Sequence, residues 1–248
     1  MKIVVSTDER PGGTDLLQYN PDLIEVRLDL LRGDLPGIVQ EWYAKTEIPL
    51  ILTLRSEQEG GSFSGTADTW SETIMPLLPF ASYIDIEQRF SFHARYIREQ
   101  GVRIVASYHT KRMLSIQELA AIDDALREYG DIPKIVVTPS DEQDMIIFLS
   151  FTLHAEKPII TSIMGEQYRH MRPLLPLFGS EWIFGHAGCA TAAGQYHIND
   201  LREIYAQRTA GHIGNHRMET PHRYSKEEYN NLNTPKSLLA DATLIPSL

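Results

Sequence analysis

The chain has 248 residues and a mass of 28.2 kDa, with 42% hydrophobic and 23% charged residues, which excludes a disordered, collagenous or membrane-embedded class. Its net charge of −10, from 23 basic and 33 acidic residues, argues against nucleic acid or an anionic membrane as partner, so an anionic ligand needs a local cluster of arginines. No apolar run approaches the roughly 18 residues that a membrane span needs, acidic Asp8 comes too early for a secretory leader, and Cys189 has no partner for a disulfide, so a cytoplasmic chain is expected.

In chain order, strands are expected at Lys2–Ser6, Leu23–Asp29, Pro49–Arg55, Tyr83–Glu87, Arg103–His109, Lys134–Thr138, Pro158–Met164 and Glu181–Phe184. Helical patterning fills the intervals. In Ser115–Tyr129, Leu119, Ile122 and Leu126 recur at helical spacing, and Ser115 with Glu118 forms a capping box. Asp141–Leu153 and Ile198–Tyr205 are similar, the latter with Asn199-Asp200 as its cap. Strand–helix alternation repeated eight times predicts an α/β fold, a single-domain (β/α)8 TIM barrel over residues 1–207. An open doubly wound sheet is the competitor, but no glycine-rich phosphate motif follows the first strand. Residues 208–248 shift to Asn, Thr, His and Pro and form a C-terminal extension, flexible in part. Leu238-Leu239-Ala240 and Leu244-Ile245 could dock it on a surface groove.

The strands carry an unusual second face. Ile24, Val26 and Leu28 alternate with Glu25, Arg27 and Asp29, and Leu52 and Leu54 with Thr53 and Arg55. Ile84 and Ile86 alternate with Asp85 and Glu87, Ile104 and Ala106 with Ser107 and His109, and Ile135 and Val137 with Lys134 and Thr138. The apolar set must pack against helices, so the titratable set points into the barrel. Unpaired charge there costs several kcal/mol, yet Arg27, Arg55 and Lys134 nearly balance Glu25, Asp29, Asp85 and Glu87. A self-satisfied polar core is the structural alternative. An active site at the C-terminal mouth is the functional one, because the interiors of such barrels are otherwise mostly Val, Ile and Leu.

Lys134 is the sharpest candidate, since a desolvated lysine near other cations is a nucleophile toward carbonyls. Its alternative is a lysine at the strand's start, snorkelling to solvent below the barrel. His109 ends its strand and suits a general acid/base, or is a satisfied structural histidine. Glu59, in Glu59-Gly60-Gly61, could orient it, and Glu59–Gly65 is the segment most suited to move. Arg172 and Arg169 are equal candidates for capturing a carboxylate, and Thr191 and Gln195 for binding hydroxyls. His212, His216 and His222 hint weakly at a metal site, while one cysteine excludes a Cys-pair zinc site.

Taken together, Ile24-Glu25-Val26-Arg27-Leu28-Asp29, Leu52-Thr53-Leu54-Arg55 with Glu59-Gly60-Gly61, Ile84-Asp85-Ile86-Glu87, Ser107-Tyr108-His109, Ile132-Pro133-Lys134-Ile135-Val136-Val137, Phe178-Gly179-Ser180, Gly194-Gln195 and Asn199-Asp200-Leu201-Arg202 resemble the type I 3-dehydroquinate dehydratases. The resemblance covers roughly residues 2 to 207. It implies a homodimeric barrel with a small-molecule substrate, 3-dehydroquinate, and neither metal nor organic cofactor. It implies Lys134 as the Schiff-base lysine, His109 as the proton shuttle and Glu59 as its partner. Glu25, Arg27, Arg55, Arg172, Thr191, Gln195 and Ser6 would bind substrate. Arg172 is preferred to Arg169 by its spacing to Phe178-Gly179-Ser180. Thr191 stands where the family often has Ser, Ala193 where it has Pro, and Met171 where it has Ser. The competing functions are another Schiff-base barrel enzyme such as a class I aldolase, and a non-catalytic carboxylate-binding barrel.

Overall fold

A computed structural model describes residues 1–13 and 15–210. Every expected run overlaps a strand: β1 (Lys2–Thr7), β2 (Leu23–Arg27), β3 (Leu50–Thr53), β4 (Tyr83–Glu87), β5 (Arg103–His109), β6 (Ile132–Val137), β7 (Ile160–Ile163) and β8 (Trp182–Gly185). All ladders are parallel, in the order β7-β6-β5-β4-β3-β2-β1-β8. β7 and β8 meet without a ladder. Glu181 N–H donates to the Ile159 carbonyl at 2.8 Å, and Thr161 N–H donates to the Ser180 hydroxyl at 2.9 Å. These bonds bring the sheet to a nearly closed barrel.

The helices are α1 (Leu35–Lys45), α2 (Ala67–Ile74), α3 (Ala94–Glu99), α4 (Ile116–Arg127), α5 (Glu142–His154) and α6 (Ile198–Ala210). The alternation is therefore less regular than expected. β1 is followed only by a 3-10 turn at Leu16–Tyr19, and β7 by a 3-10 stretch at Arg169–Phe178. Pro173 and Pro176 lie inside that stretch, and neither can donate a backbone hydrogen bond to an α-helix. The capping box of Ser115 and Glu118 opens α4, and the Asp141 side chain caps α5. At α6 the expected cap is corrected. The ring Nδ1 of His197 accepts from Asn199 N–H at 3.2 Å, so His197 takes the role assigned to Asn199-Asp200. The expected boundary at residue 207 falls within α6. The tail histidines His212, His216 and His222 and the apolar segments of the extension lie outside the described residues.

Alternation sorts the side chains into two cores. Val5, Ile24, Val26, Leu52, Ile84, Ile86, Ile104, Ala106, Ile135 and Val137 face outward, buried in one cluster with helix residues such as Trp42, Trp70, Leu119 and Phe148. A second cluster fills the barrel: Val4, Leu23, Ile51, Tyr83, Val105, Ile132, Ile160, Trp182 and Phe184. Every strand contributes to it. Moving two residues along β1 to β6, on the same face, reaches Ser6, Glu25, Thr53, Asp85, Ser107 and Lys134, all buried. The interior is thus an apolar floor under a polar layer. The expectation of a charged interior holds for its upper half, and the lower half is the usual hydrophobic packing.

Candidate active site

The polar layer is organised around two cations that share one carboxylate. From β6, Lys134 extends upward. Its Nζ lies 3.0 Å from Asp85 Oδ2, 3.5 Å from Glu25 Oε1 and 4.0 Å from the centre of the Phe184 ring. It is 5% exposed, which excludes the snorkelling alternative. Its nearest groups are carboxylates and an aromatic face, and Arg55 reaches it only through Asp85. Arg55 Nη2 donates to Asp85 Oδ1 at 2.7 Å, and its Nη1 to Glu87 at 3.1 Å, Glu59 at 3.0 Å and the Ser107 hydroxyl at 3.0 Å. Burial works against the Arg55 charge, but Asp85, Glu59 and Glu87 outweigh it and raise its proton affinity. Burial also opposes the Asp85 charge. Arg55 and Lys134, with His109 and the Ser107 hydroxyl, nevertheless hold its carboxyl well below the usual range.

β5 delivers His109 to the mouth, and the turn after β3 brings Glu59 against it. His109 Nδ1 lies 2.7 Å from Glu59 Oε2, which also accepts from the His109 backbone N–H at 3.1 Å. Nε2 has no partner among the described residues. Burial, with Arg55 and Lys134, holds the imidazole well below its ordinary value against the pull of Asp85. Burial, reinforced by Glu87 and Asp85 and opposed by Arg55, pushes Glu59 up to about 8. Glu59 acid with imidazole, and Glu59 carboxylate with imidazolium, hold the same number of protons. The pair therefore titrates as a unit.

Glu59–Gly65, expected to be the segment most suited to move, is tied down at several points. Glu57 N–H donates to the Phe63 carbonyl at 2.9 Å and Phe63 N–H to the Arg55 carbonyl at 3.0 Å. Ser62 N–H reaches Asp29 at 3.1 Å, and Arg89 bonds Gln58 and the Gly65 carbonyl. Asp29 also clamps Arg27 in two bonds of 2.9 and 2.8 Å, so β2 and this loop are locked together.

Across the barrel, Arg172 rises from the 3-10 stretch and is buried. Its hydrogen bonds all go to carbonyl oxygens: Ile163 at 2.9 Å, Ala193 at 3.4 Å and Phe184 at 3.4 Å. Burial, together with Arg169, lowers it to about 10. Arg169 is instead half-exposed beside Glu166 and over the Tyr196 ring. Gln195 Oε1 accepts from Thr191 N–H at 2.9 Å.

A cavity at the C-terminal mouth is lined by Lys134, His109, Glu59, Glu25, Arg27, Arg55, Arg172 and Gln195, with Val136, Met164 and Phe184 as apolar wall. Two expected substrate contacts stand apart from its lining. Ser6 lies buried below, donating to Glu25 Oε2 at 2.5 Å. Thr191 is held beside Gln195, its carbonyl accepting from Arg27 at 3.3 Å. Alternation puts Asp85, Glu87 and Ser107 on the inward face as charge-balancing or polar groups, but it singles out neither Phe184 nor Ser56. Alternation along β8 was the available signal for Phe184, since Trp182 and Phe184 share a face. Among the described residues no group of three or more His, Cys, Asp or Glu side chains could hold a metal ion, and no helix is long and apolar enough to cross a membrane.

Titratable groups gathered over an apolar floor at the C-terminal mouth define a catalytic (β/α)8 barrel. A family model, Type I 3-dehydroquinase, matches residues 7–212, and the chain belongs to that family and is a hydro-lyase. It is 42% identical over 201 residues to the 3-dehydroquinate dehydratase of Methanoregula boonei, covering 81% of this chain and 96% of that protein. It is 36% identical over 182 residues to that of Methanospirillum hungatei, covering 73% and 71%. Among solved structures, the 3-dehydroquinate dehydratase of Geobacillus kaustophilus superposes with a TM-score of 0.73 at 25% identity, over 84% of this chain and 91% of that one. Membership sets aside the non-catalytic barrel.

Proposed function

We propose that this protein dehydrates 3-dehydroquinate to 3-dehydroshikimate in the shikimate pathway, through a Schiff base on Lys134. The observation that carries this is the convergence of the Lys134 amine and the His109–Glu59 pair on one cavity, with a buried arginine on its far wall whose hydrogen bonds, among the described residues, go only to carbonyls.

The Lys134 amine adds to the substrate ketone, and loss of water gives a protonated imine. That imine withdraws electrons more strongly than the ketone and acidifies the adjacent carbon. With Nδ1 held by Glu59, His109 uses Nε2 to take the α-proton, leaving an enamine. The enamine electrons expel the β-hydroxyl, which His109 protonates as it leaves as water. Hydrolysis of the conjugated imine then releases the enone and returns the amine. A well-placed acid/base contributes about 10²–10⁴-fold.

Arg172 receives the substrate carboxylate, for which a buried guanidinium bonded only to carbonyls is suited. Glu25, Arg27, Arg55 and Gln195 hold the ring hydroxyls, Thr191 acts by fixing Gln195, and Ser6 acts by fixing Glu25. The test is borohydride reduction in the presence of 3-dehydroquinate, followed by mass spectrometry. A stable adduct on Lys134 is expected, and Lys134→Ala should lose both adduct and enone formation. Near-normal turnover by Lys134→Ala would end the proposal. We also propose a cytoplasmic homodimer; sedimentation of the purified chain as a monomer would refute the dimer.

A further inference from the structure

We propose that Glu87 is a positioning residue for the Glu59–His109 pair, acting through Ser56 and Arg55 without touching the substrate. This deepens the function proposed above and rests on it. Glu87 ends β4 and is fully enclosed, yet it does not line the cavity. Its carboxylate collects three donors. Ser56 N–H reaches Oε1 at 2.7 Å, the Ser56 hydroxyl reaches Oε2 at 2.6 Å, and Arg55 Nη1 reaches Oε1 at 3.1 Å. Two of these come from the residue that starts the Glu59 turn, where Glu59 N–H and Gly61 N–H both donate to the Ser56 carbonyl, at 3.1 and 2.8 Å. The third steers the same guanidinium nitrogen that holds Glu59 at 3.0 Å. Glu87 therefore fixes both the backbone that carries Glu59 and the cation that aims it.

The link is electrostatic as well as mechanical. One oxygen each of Glu87 and Glu59 touches the same Nη1, so those oxygens lie at most about 6 Å apart. A negative charge that close makes the pair hold its second proton more tightly, and Glu87 is among the causes that raise Glu59.

Three variants test this by steady-state dehydration of 3-dehydroquinate across pH. Glu87→Gln keeps one acceptor oxygen for Ser56 N–H and Arg55, replaces the other with an NH2 that can donate to the Ser56 hydroxyl, and loses the charge. The acid limb of its kcat/KM profile should move to lower pH by about one unit or more. Glu87→Ala loses charge and hydrogen bonds. Its kcat should fall on the order of 10²-fold with KM within about threefold of wild type, and Glu87→Gln should recover most of that kcat at high pH. Ser56→Ala is the mildest, and should lower kcat several-fold with KM unchanged. Borohydride trapping of Lys134 should persist in all three, because Schiff-base formation does not require the Glu59 turn. An acid limb unmoved in Glu87→Gln, or a Ser56→Ala enzyme with wild-type kcat, overturns the positioning role. Failure of the unaltered protein to dehydrate 3-dehydroquinate, or near-normal turnover by Lys134→Ala, would instead overturn the underlying function, so the two failures are distinguishable.

Discussion

Gly61 has an ordinary backbone φ but no room for a side chain, which makes Gly61→Ala a clean probe of how tightly the Glu59 turn is set. An added Cβ would lie 2.5 Å from Arg55 Cγ and 2.6 Å from the Arg55 carbonyl carbon, and closer still to its oxygen. Ordinary contact begins at 3.4 Å, so turn and strand end must separate by about 1 Å. Glu59 lies two residues away and meets His109 at 2.7 Å. A displacement of that size takes the contact beyond hydrogen-bonding distance, and a misplacement of about 1 Å costs on the order of 10²-fold in rate. The expected result is a kcat reduced about 10²-fold, measured by the absorbance of the conjugated product, with thermal unfolding showing a folded protein. Gly60→Ala is the contrast. Its φ is +85° but nothing lies within 4 Å of the added methyl, so it should cost about 1–2 kcal/mol of stability and less kcat than Gly61→Ala. Gly61→Ala with kcat within about twofold of wild type would refute the view that this turn is held to the ångström.

Arg172→Ala should raise KM by about 10²-fold or more with a smaller change in kcat, and Arg172→Lys should not restore it, because an ammonium cannot span the same acceptors; initial rates over a range of substrate concentrations decide this. Below about pH 8 the Glu59–His109 pair carries both protons and Nε2 cannot accept another, so kcat/KM should rise with pH through that value. A flat profile between pH 6 and 9 would contradict it. The same raised carboxyl gives stability that is complete below its unfolded value of 4.5 and is lost as pH rises through about 8. Glu59→Gln should flatten that decline, worth on the order of a few kcal/mol, in melts recorded across pH. Asp85→Asn leaves Arg55 and Lys134 without their shared carboxylate and should destabilise by about 3–5 kcal/mol, read by chemical denaturation.

All eight strands were legible because β-branched runs punctuated by turns are a local signal. The charged upper interior was legible for the same reason, since strict alternation along β2 and β4 assigns Glu25, Arg27, Asp85 and Glu87 to one face. Strand ends were less so: Pro133 hid the start of β6, which begins at Ile132. The two 3-10 connections are less legible, because barrel topology suggests a helix in each interval and only Pro173 and Pro176 signal otherwise, in the second of them. The pairing within the site was invisible for a different reason. Which carboxylate Arg55 takes depends on neighbours in β4, β5 and the following turn, up to 52 residues away, and alternation fixes a face without fixing a partner. Ser6 shows the limit: only the resemblance names it as a contact, and its hydroxyl bonds Glu25 outside the cavity lining.

The unladdered junction of β7 and β8 gives Arg172 a second duty. Its guanidinium donates to Ile163 at the top of one strand and to Phe184 in the other, so it rivets the rim where the circle of strands is weakest. The proposed carboxylate recognition and one part of the ring closure, beside the Glu181–Ile159 and Thr161–Ser180 bonds, then share a single side chain. An anion resting on that guanidinium would stiffen the rivet, and backbone amides along the junction should exchange their hydrogens more slowly when the cavity is filled.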